Sequence, residues 1–210
     1  MPSFDNWSLY AITPDDVECE VMLDMVAQAL ESGITAVQVR RKQVTSRQLF
    51  LETRRVLELA GPLGVPVIVN DRLDIALAAG ADGVHLGQDD LPLGNARAIA
   101  APGFLMGVSV HNADEAREAE AQKASYVAVG PIYASRSKAT GPAGGTELVR
   151  SVRRIARGPL IAIGGIGPEK VGEVLEAGAD GVAVISGIYS GGSVRARVGE
   201  FREAIARAKS

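Results

Sequence analysis

The feature that most constrains this chain is an alternation. Short β-branched runs recur at 9–13, 36–40, 66–70, 83–86, 105–109, 126–129, 160–163 and 181–185. Longer stretches with helical apolar spacing, such as 21–31, 47–59, 113–122 and 169–177, lie between them. The runs are apolar on both faces rather than every second residue, the mark of strands covered on both sides in a parallel sheet. Four segments also resemble one another: ESGITAVQV, AAGADGVHL, AQKASYVAV and EAGADGVAV, ending at Val39, Leu86, Val129 and Val184. Each couples a small-residue helix exit to a strand, and they precede strands two, four, six and eight. Their unequal spacing excludes a solenoid but suits paired strand–helix units of a closed barrel. The expected fold is therefore an α/β single domain over residues 1–210, a (β/α)8 TIM barrel. An open doubly wound sheet is the alternative, less suited to eight strands in 210 residues. Gly33, Gly80 and Gly178 fall where helix exits need a left-handed backbone.

Composition narrows the partners. The chain carries 22 Lys and Arg against 25 Asp and Glu, a net charge of −3. That balance lacks the cationic excess of a nucleic-acid-binding surface. Apolar stretches are strand-sized rather than the roughly 20 residues of a membrane span, and no basic start precedes an apolar leader. The expectation is a soluble, unsecreted, cytoplasmic protein acting on small molecules, with its oligomeric state left open. Cys19 is the single cysteine, without His or Cys neighbours to complete a metal site, and reads as a plain thiol.

Barrel enzymes carry their chemistry in the loops after the strands' carboxyl ends, and the unusual polar residues fall there. Strand two runs into Gln38, Arg40 and Lys42, which alternation puts on one face, the barrel mouth, while Arg41 faces away. An inward Arg and Lys with no carboxylate between them call for an anion, and an Arg fork beside a Lys suits pyrophosphate. Strands three and four end in Asn70-Asp71 and in His85-Leu86-Gly87-Gln88-Asp89-Asp90. Asp71 and Asp90 suit Mg2+, which takes one or two carboxylates together with phosphate oxygens and water; Asn70 would orient the substrate. The bland alternative is that both aspartates cap the helices that follow. His85 reads as a hydrogen-bonded structural histidine; Ser109 and His111 share a strand face, and either reaches a ligand. The Gly- and Ser-rich stretch 130–145 reads as a lid or binding loop, with Ser135, Ser137 and Lys138 as phosphate donors. Gly164-Gly165 and Ile185-Ser186-Gly187, after strands seven and eight, suit a phosphate held by backbone N–H groups.

With these positions laid out, the chain resembles the thiamine phosphate synthase family over nearly its full length. The resemblance rests on Leu9-Tyr10-Ala11-Ile12-Thr13, Gln38-x-Arg40-x-Lys42, Asn70-Asp71, HLGQDD at 85–90, GVSVH at 107–111, GPIYASRSK at 130–138, Gly164-Gly165 and Val184-Ile185-Ser186. It implies a Mg2+-dependent transferase that joins a pyrimidine methyl pyrophosphate to a thiazole phosphate and releases pyrophosphate. By the same resemblance Gln38, Arg40, Lys42 and Asn70 hold the pyrimidine pyrophosphate, and Asp71 and Asp90 bind Mg2+. Ser109 and Lys138 contact the leaving pyrophosphate, while Gly165, Ile185 and Ser186, with Ser135 and Ser137, lie at the thiazole phosphate. Two departures stand out. Ala134-Ser135-Arg136-Ser137-Lys138 replaces the family's common Pro-Thr-x-Thr-Lys, and Arg41 replaces a usual acidic residue. Two other readings remain: a thiazole tautomerase using His111 as acid or base, and a non-catalytic barrel that binds a phosphate ligand.

Overall fold

The computed structural model describes residues 7–134 and 143–210. Eight parallel strands close in sequence order, β1 hydrogen-bonding to both β2 and β8, so the open-sheet alternative falls. The strands are β1 (Leu9–Ile12), β2 (Ala36–Val39), β3 (Val67–Asn70), β4 (Gly83–Leu86), β5 (Leu105–Val110), β6 (Tyr126–Val129), β7 (Leu160–Ile163) and β8 (Gly181–Val184). The helices are α1 (Cys19–Glu31), α2 (Ser46–Ala60), α3 (Leu73–Ala79), α4 (Leu93–Ile99), α5 (Ala113–Ala121), α6 (Gly145–Arg153), α7 (Val171–Glu176), the single turn α8 (Ser186–Tyr189) and α9 (Val194–Lys209). Where the sequence suggests one helix over 169–177, a 3-10 turn at Pro168–Lys170 comes first and α7 follows from Val171 to Glu176.

The internal repeat has a mechanical meaning. Thr35, Asp82, Ser125 and Asp180 stand at matching places just before β2, β4, β6 and β8. Each side chain accepts the backbone N–H that opens the preceding strand or its second residue. Thr35 Oγ1 takes Leu9 at 2.9 Å, Asp82 Oδ2 takes Val67 at 2.8 Å, Ser125 Oγ takes Met106 at 2.9 Å and Asp180 Oδ2 takes Leu160 at 2.7 Å. The barrel is thus four two-strand staves, each pinned at its amino end, where backbone donors otherwise lack partners. Gly33, Gly80 and Gly178 all take positive φ at helix exits, as expected.

Alternation divides the apolar residues into two cores. Val37, Val39, Val67, Val69, Val84 and their like pack outward under the helices. Inside the barrel Trp7, Tyr10 and Tyr126 form an aromatic plug, with ring centroids 5.1–6.0 Å apart, walled by Ala36, Ile68 and Ile161. Gly107 makes room for it: a Cβ there would sit 2.0 Å from the Tyr126 ring. Gly107→Ala is therefore expected to cost about 1–3 kcal/mol by overpacking, read as a lowered thermal midpoint. An unchanged midpoint would count against this packing. At the helical layer, Thr45 and Gln48 form a reciprocal capping box on α2, and the Asn112 side chain caps α5. Cys19 opens α1, its thiol pushed up by burial and then by Glu52, in keeping with an unreactive thiol. Among the described residues no helix is long and apolar enough to cross a membrane.

Candidate functional site

The carboxyl ends of β2, β3 and β4 form a charged rim. Because Val37 and Val39 face the helices, Gln38 and Arg40 face the lumen side. The expectation that no carboxylate stands beside the cations is corrected here. Asp15, in the loop after β1, accepts from Arg40 Nη1 through Oδ2 at 3.1 Å and from the Lys42 backbone N–H through Oδ1 at 2.6 Å. Lys42 Nζ pairs with Asp71 Oδ2 at 3.1 Å. A carboxylate distant in sequence thus replaces the bound anion as the local counter-charge. Asp15 also holds Arg40 ready, so less entropy is lost when a ligand binds. The sequence carried a signal for it, the Asp15-Asp16 pair just past a strand's carboxyl end.

Arg41 turns the other way, as alternation predicts. Its Nε lies 2.9 Å from Glu52 Oε2 on α2, both side chains being under a tenth exposed, and its Nη1 donates to the Val17 carbonyl at 2.7 Å. This buried pair moors the loop that carries Asp15.

Asp71 and Asp90 do not cap helices. The residue preceding α3 is Arg72 and that preceding α4 is Pro92, and neither helix start shows a side-chain cap. Asp71 instead adopts a left-handed backbone at φ 62°, a costly conformation that Asp tolerates better than most residues. Asp90 Oδ2 accepts the Gly87 N–H at 2.7 Å. Burial first, and then the adjoining Asp71 carboxyl, push the Asp90 carboxyl up from the ordinary Asp range, against the pull of the Gly87 N–H and Lys42. Two carboxylates crowded together beside a single Lys are a donor pair that a divalent cation relieves. Among the described residues no cluster of three or more His, Cys, Asp or Glu builds a closed metal cage; an open pair suits a cation that keeps phosphate oxygens and water. Asn70 ends β3 beside Asp71 and is half-buried.

Next to this rim lies a cavity of ≈ 550 Å³ under the ends of β5 to β8. Ser109, His111, Gly165, Ile185 and Ser186 all line it, as does Arg197 from α9, which the sequence reading did not single out. Ser109 also touches the rim side, its carbonyl accepting from Gln88 Nε2 at 2.6 Å. His111 Nδ1 lies 2.9 Å from Glu115 Oε2. Gly164 and Gly165 take φ of +106° and +62°, and a Cβ on Gly165 would stand 2.5 Å from the Ala134 carbonyl. Only glycine permits that turn, which leaves backbone close to the cavity, the arrangement a phosphate needs. The stems of the stretch after β6 are tied down: Tyr133 N–H donates to the Gly164 carbonyl at 2.9 Å, and Gly145 N–H to the Ile132 carbonyl at 2.9 Å. Tyr133 Oη donates to Glu173 at 2.6 Å, its own hydroxyl pushed up to about 12 by burial and by Glu173. Ser135, Ser137 and Lys138 lie outside the described residues.

His85 is buried and bonded through both ring nitrogens, as a structural histidine should be. The rim and the cavity together present two anion-suited compartments that meet at Ser109.

Comparison with known proteins finds relatives along nearly the whole chain. A family model described as thiamine monophosphate synthase matches residues 9–188. The thiamine-phosphate synthase of Moorella thermoacetica is 42% identical over 208 residues, covering 97% of this chain and 98% of that relative. That of Methanoculleus marisnigri is 42% identical over 207 residues, covering 98% of each. A solved thiamine phosphate pyrophosphorylase from Pyrococcus furiosus superimposes with a TM-score of 0.89 at 34% identity, covering 99% of this chain and 100% of that one. A 3-hexulose-6-phosphate synthase structure, at 20% identity and a TM-score of 0.75, shares the fold alone.

Proposed function

Since the chain belongs to the thiamine monophosphate synthase family, we propose that its charged rim holds a pyrimidine methyl pyrophosphate and its cavity a thiazole phosphate. The activity is thiamine phosphate synthesis, a transferase reaction on small molecules. The observation that carries the division of labour is the gathering of Arg40, Lys42, Asp71 and Asp90 on one rim beside a glycine-lined cavity.

The chemistry follows the charge. The bond between the pyrimidine methylene carbon and the pyrophosphate oxygen breaks, and the electron pair leaves with pyrophosphate. The thiazole nitrogen then supplies the pair for the new C–N bond. Arg40 and Lys42 stabilise the negative charge as it builds on the departing group. Gln38 and Asn70 orient the pyrimidine, and Ser109 donates to a pyrophosphate oxygen. Gly165, Ile185 and Ser186 hold the thiazole phosphate so that its nitrogen faces the carbon, replacing a bimolecular encounter by a held geometry. Asp71 and Asp90 would hold Mg2+, which when bound neutralises pyrophosphate oxygens as a Lewis acid. No protein nucleophile is required. A cytoplasmic site of action accords with phosphorylated small-molecule substrates.

The test is purified protein with both heterocycles, with and without Mg2+, assayed for thiamine phosphate and pyrophosphate. Formation of both products only with Mg2+ supports the proposal; proton transfer on the thiazole alone, without pyrophosphate release, would instead select His111 chemistry. Mg2+ with pyrophosphate at about one hundred times the dissociation constant is expected to raise the thermal midpoint by ~5–10 °C. Asp71→Asn should abolish that rise, and a full rise in the variant would remove Asp71 from the metal set.

A further inference from the structure

A buried polar chain crosses the barrel beneath its mouth. Gln38 Nε2 donates to Tyr10 Oη at 2.8 Å, and Tyr10 Oη lies 3.0 Å from Tyr126 Oη. Tyr126 Oη lies 3.0 Å from His85 Nδ1, and His85 Nε2 lies 2.9 Å from Ser109 Oγ. Gln38, Tyr10, Tyr126 and His85 are all buried, whereas Ser109 opens onto the cavity. The chain therefore joins β2 to β5, two strands that share no backbone hydrogen bonds, through side chains from β1, β6 and β4.

A hydroxyl or a neutral imidazole has one hydrogen to give, so such a chain has two self-consistent polarities. Burial pushes both phenols up, so each keeps its hydrogen. With the Gln38 amide nitrogen on Tyr10, the Tyr10 hydroxyl gives its hydrogen to Tyr126, and Tyr126 gives its own to His85 Nδ1. His85 then carries hydrogen on Nε2 and donates to Ser109 Oγ, which leaves the serine hydrogen for the cavity. The opposite polarity begins with the Gln38 carbonyl oxygen on Tyr10. It ends with the Ser109 hydrogen turned inward and its lone pairs facing the ligand, which an anion rejects.

We infer that Gln38, Tyr10, Tyr126 and His85 form a positioning relay that fixes His85 as the neutral Nε2–H tautomer and so holds Ser109 as a donor to an anionic phosphate-class oxygen. The inference rests on the reading of the rim as a pyrophosphate site. It gives Tyr10 and Tyr126 a role in ligand polarity as well as packing, and it couples the orientation of the Gln38 amide to binding of an anion across the barrel.

Two measurements on the full chain test it. Imidazole 15N–1H correlation spectra, with His111→Gln used to assign the two histidines, are expected to show His85 with hydrogen on Nε2 alone. Tyr126→Phe removes the donor to Nδ1 and is expected to give a mixture of tautomers. Should that variant not fold, Tyr10→Phe frees the end of the relay from Gln38 and serves in its place. His85 carrying its hydrogen on Nδ1 in the unaltered protein overturns the inference. Binding of pyrophosphate with Mg2+, followed by calorimetry, should weaken about tenfold in the same variant, the worth of one impaired charge-assisted hydrogen bond. Unchanged affinity beside a mixed tautomer also overturns it. Absence of pyrophosphate binding in the unaltered protein overturns the reading of the rim and is seen separately from the tautomer spectrum.

Discussion

Arg40→Ala is expected to lower turnover about a hundred- to a thousandfold at saturating substrate, the loss typical of one preorganised donor aimed at developing negative charge. Asp71→Ala should do at least as much, because it removes a carboxylate from the proposed cation pair and leaves Lys42 without its partner at 3.1 Å. Neither change opens the core. Arg40 and Asp15 are both partly exposed to solvent, and Asp15 keeps its bond from the Lys42 N–H when Arg40 is cut back. Thermal midpoints close to that of the parent, alongside the lost rate, are therefore part of the expected result. Near-parental turnover in either variant would dismantle the assignment of the rim. The split between constants is informative too. An interaction realised only as the C–O bond breaks lowers kcat and kcat/KM together, whereas one that merely holds the ground state raises KM.

The second large effect concerns stability. Arg41→Met or Glu52→Leu, each alone, is expected to cost about 3–5 kcal/mol, because each strands a buried charge without its partner. Replacing both with apolar residues of similar size, as in Arg41→Met with Glu52→Leu, should restore most of that loss. Chemical denaturation of the four proteins in this cycle reads the coupling directly. A double variant as unstable as the singles would show that the Arg41 bond to the Val17 carbonyl, not the ion pair, secures the loop. The stable double variant should still bind pyrophosphate less well, since the loop that presents Asp15 has lost its mooring.

The barrel was legible because parallel strands covered on both faces leave continuous apolar runs, and because the four pins lie in similar nine-residue segments. Strand ends shift by a residue: β2 stops at Val39 rather than Arg40, as a charged residue at the rim leaves the ladder. The rim was legible for the same alternation that sends Arg41 outward. Its counter-charges were less so. Asp15 meets Arg40 across 25 residues of sequence and Glu52 meets Arg41 from a helix, pairings set by tertiary packing rather than local spacing. The helix α9 carries a buried stripe of Val194, Val198, Phe201 and Ile205, but its many Arg and Ala residues dilute that signal. The relay was the least visible of all. Tyr10 and Tyr126 are 116 residues apart, and either tyrosine read alone is simply a core residue.

The four amino-end pins also suggest how such a molecule can be taken apart and recombined. A stave keeps its anchoring side chain and the N–H it satisfies within one continuous piece, so a crossover between β2 and β3, β4 and β5, or β6 and β7 transfers a self-contained cassette. A crossover inside a stave severs donor from acceptor. Chimaeras cut at the first kind of junction should outnumber the second among soluble progeny.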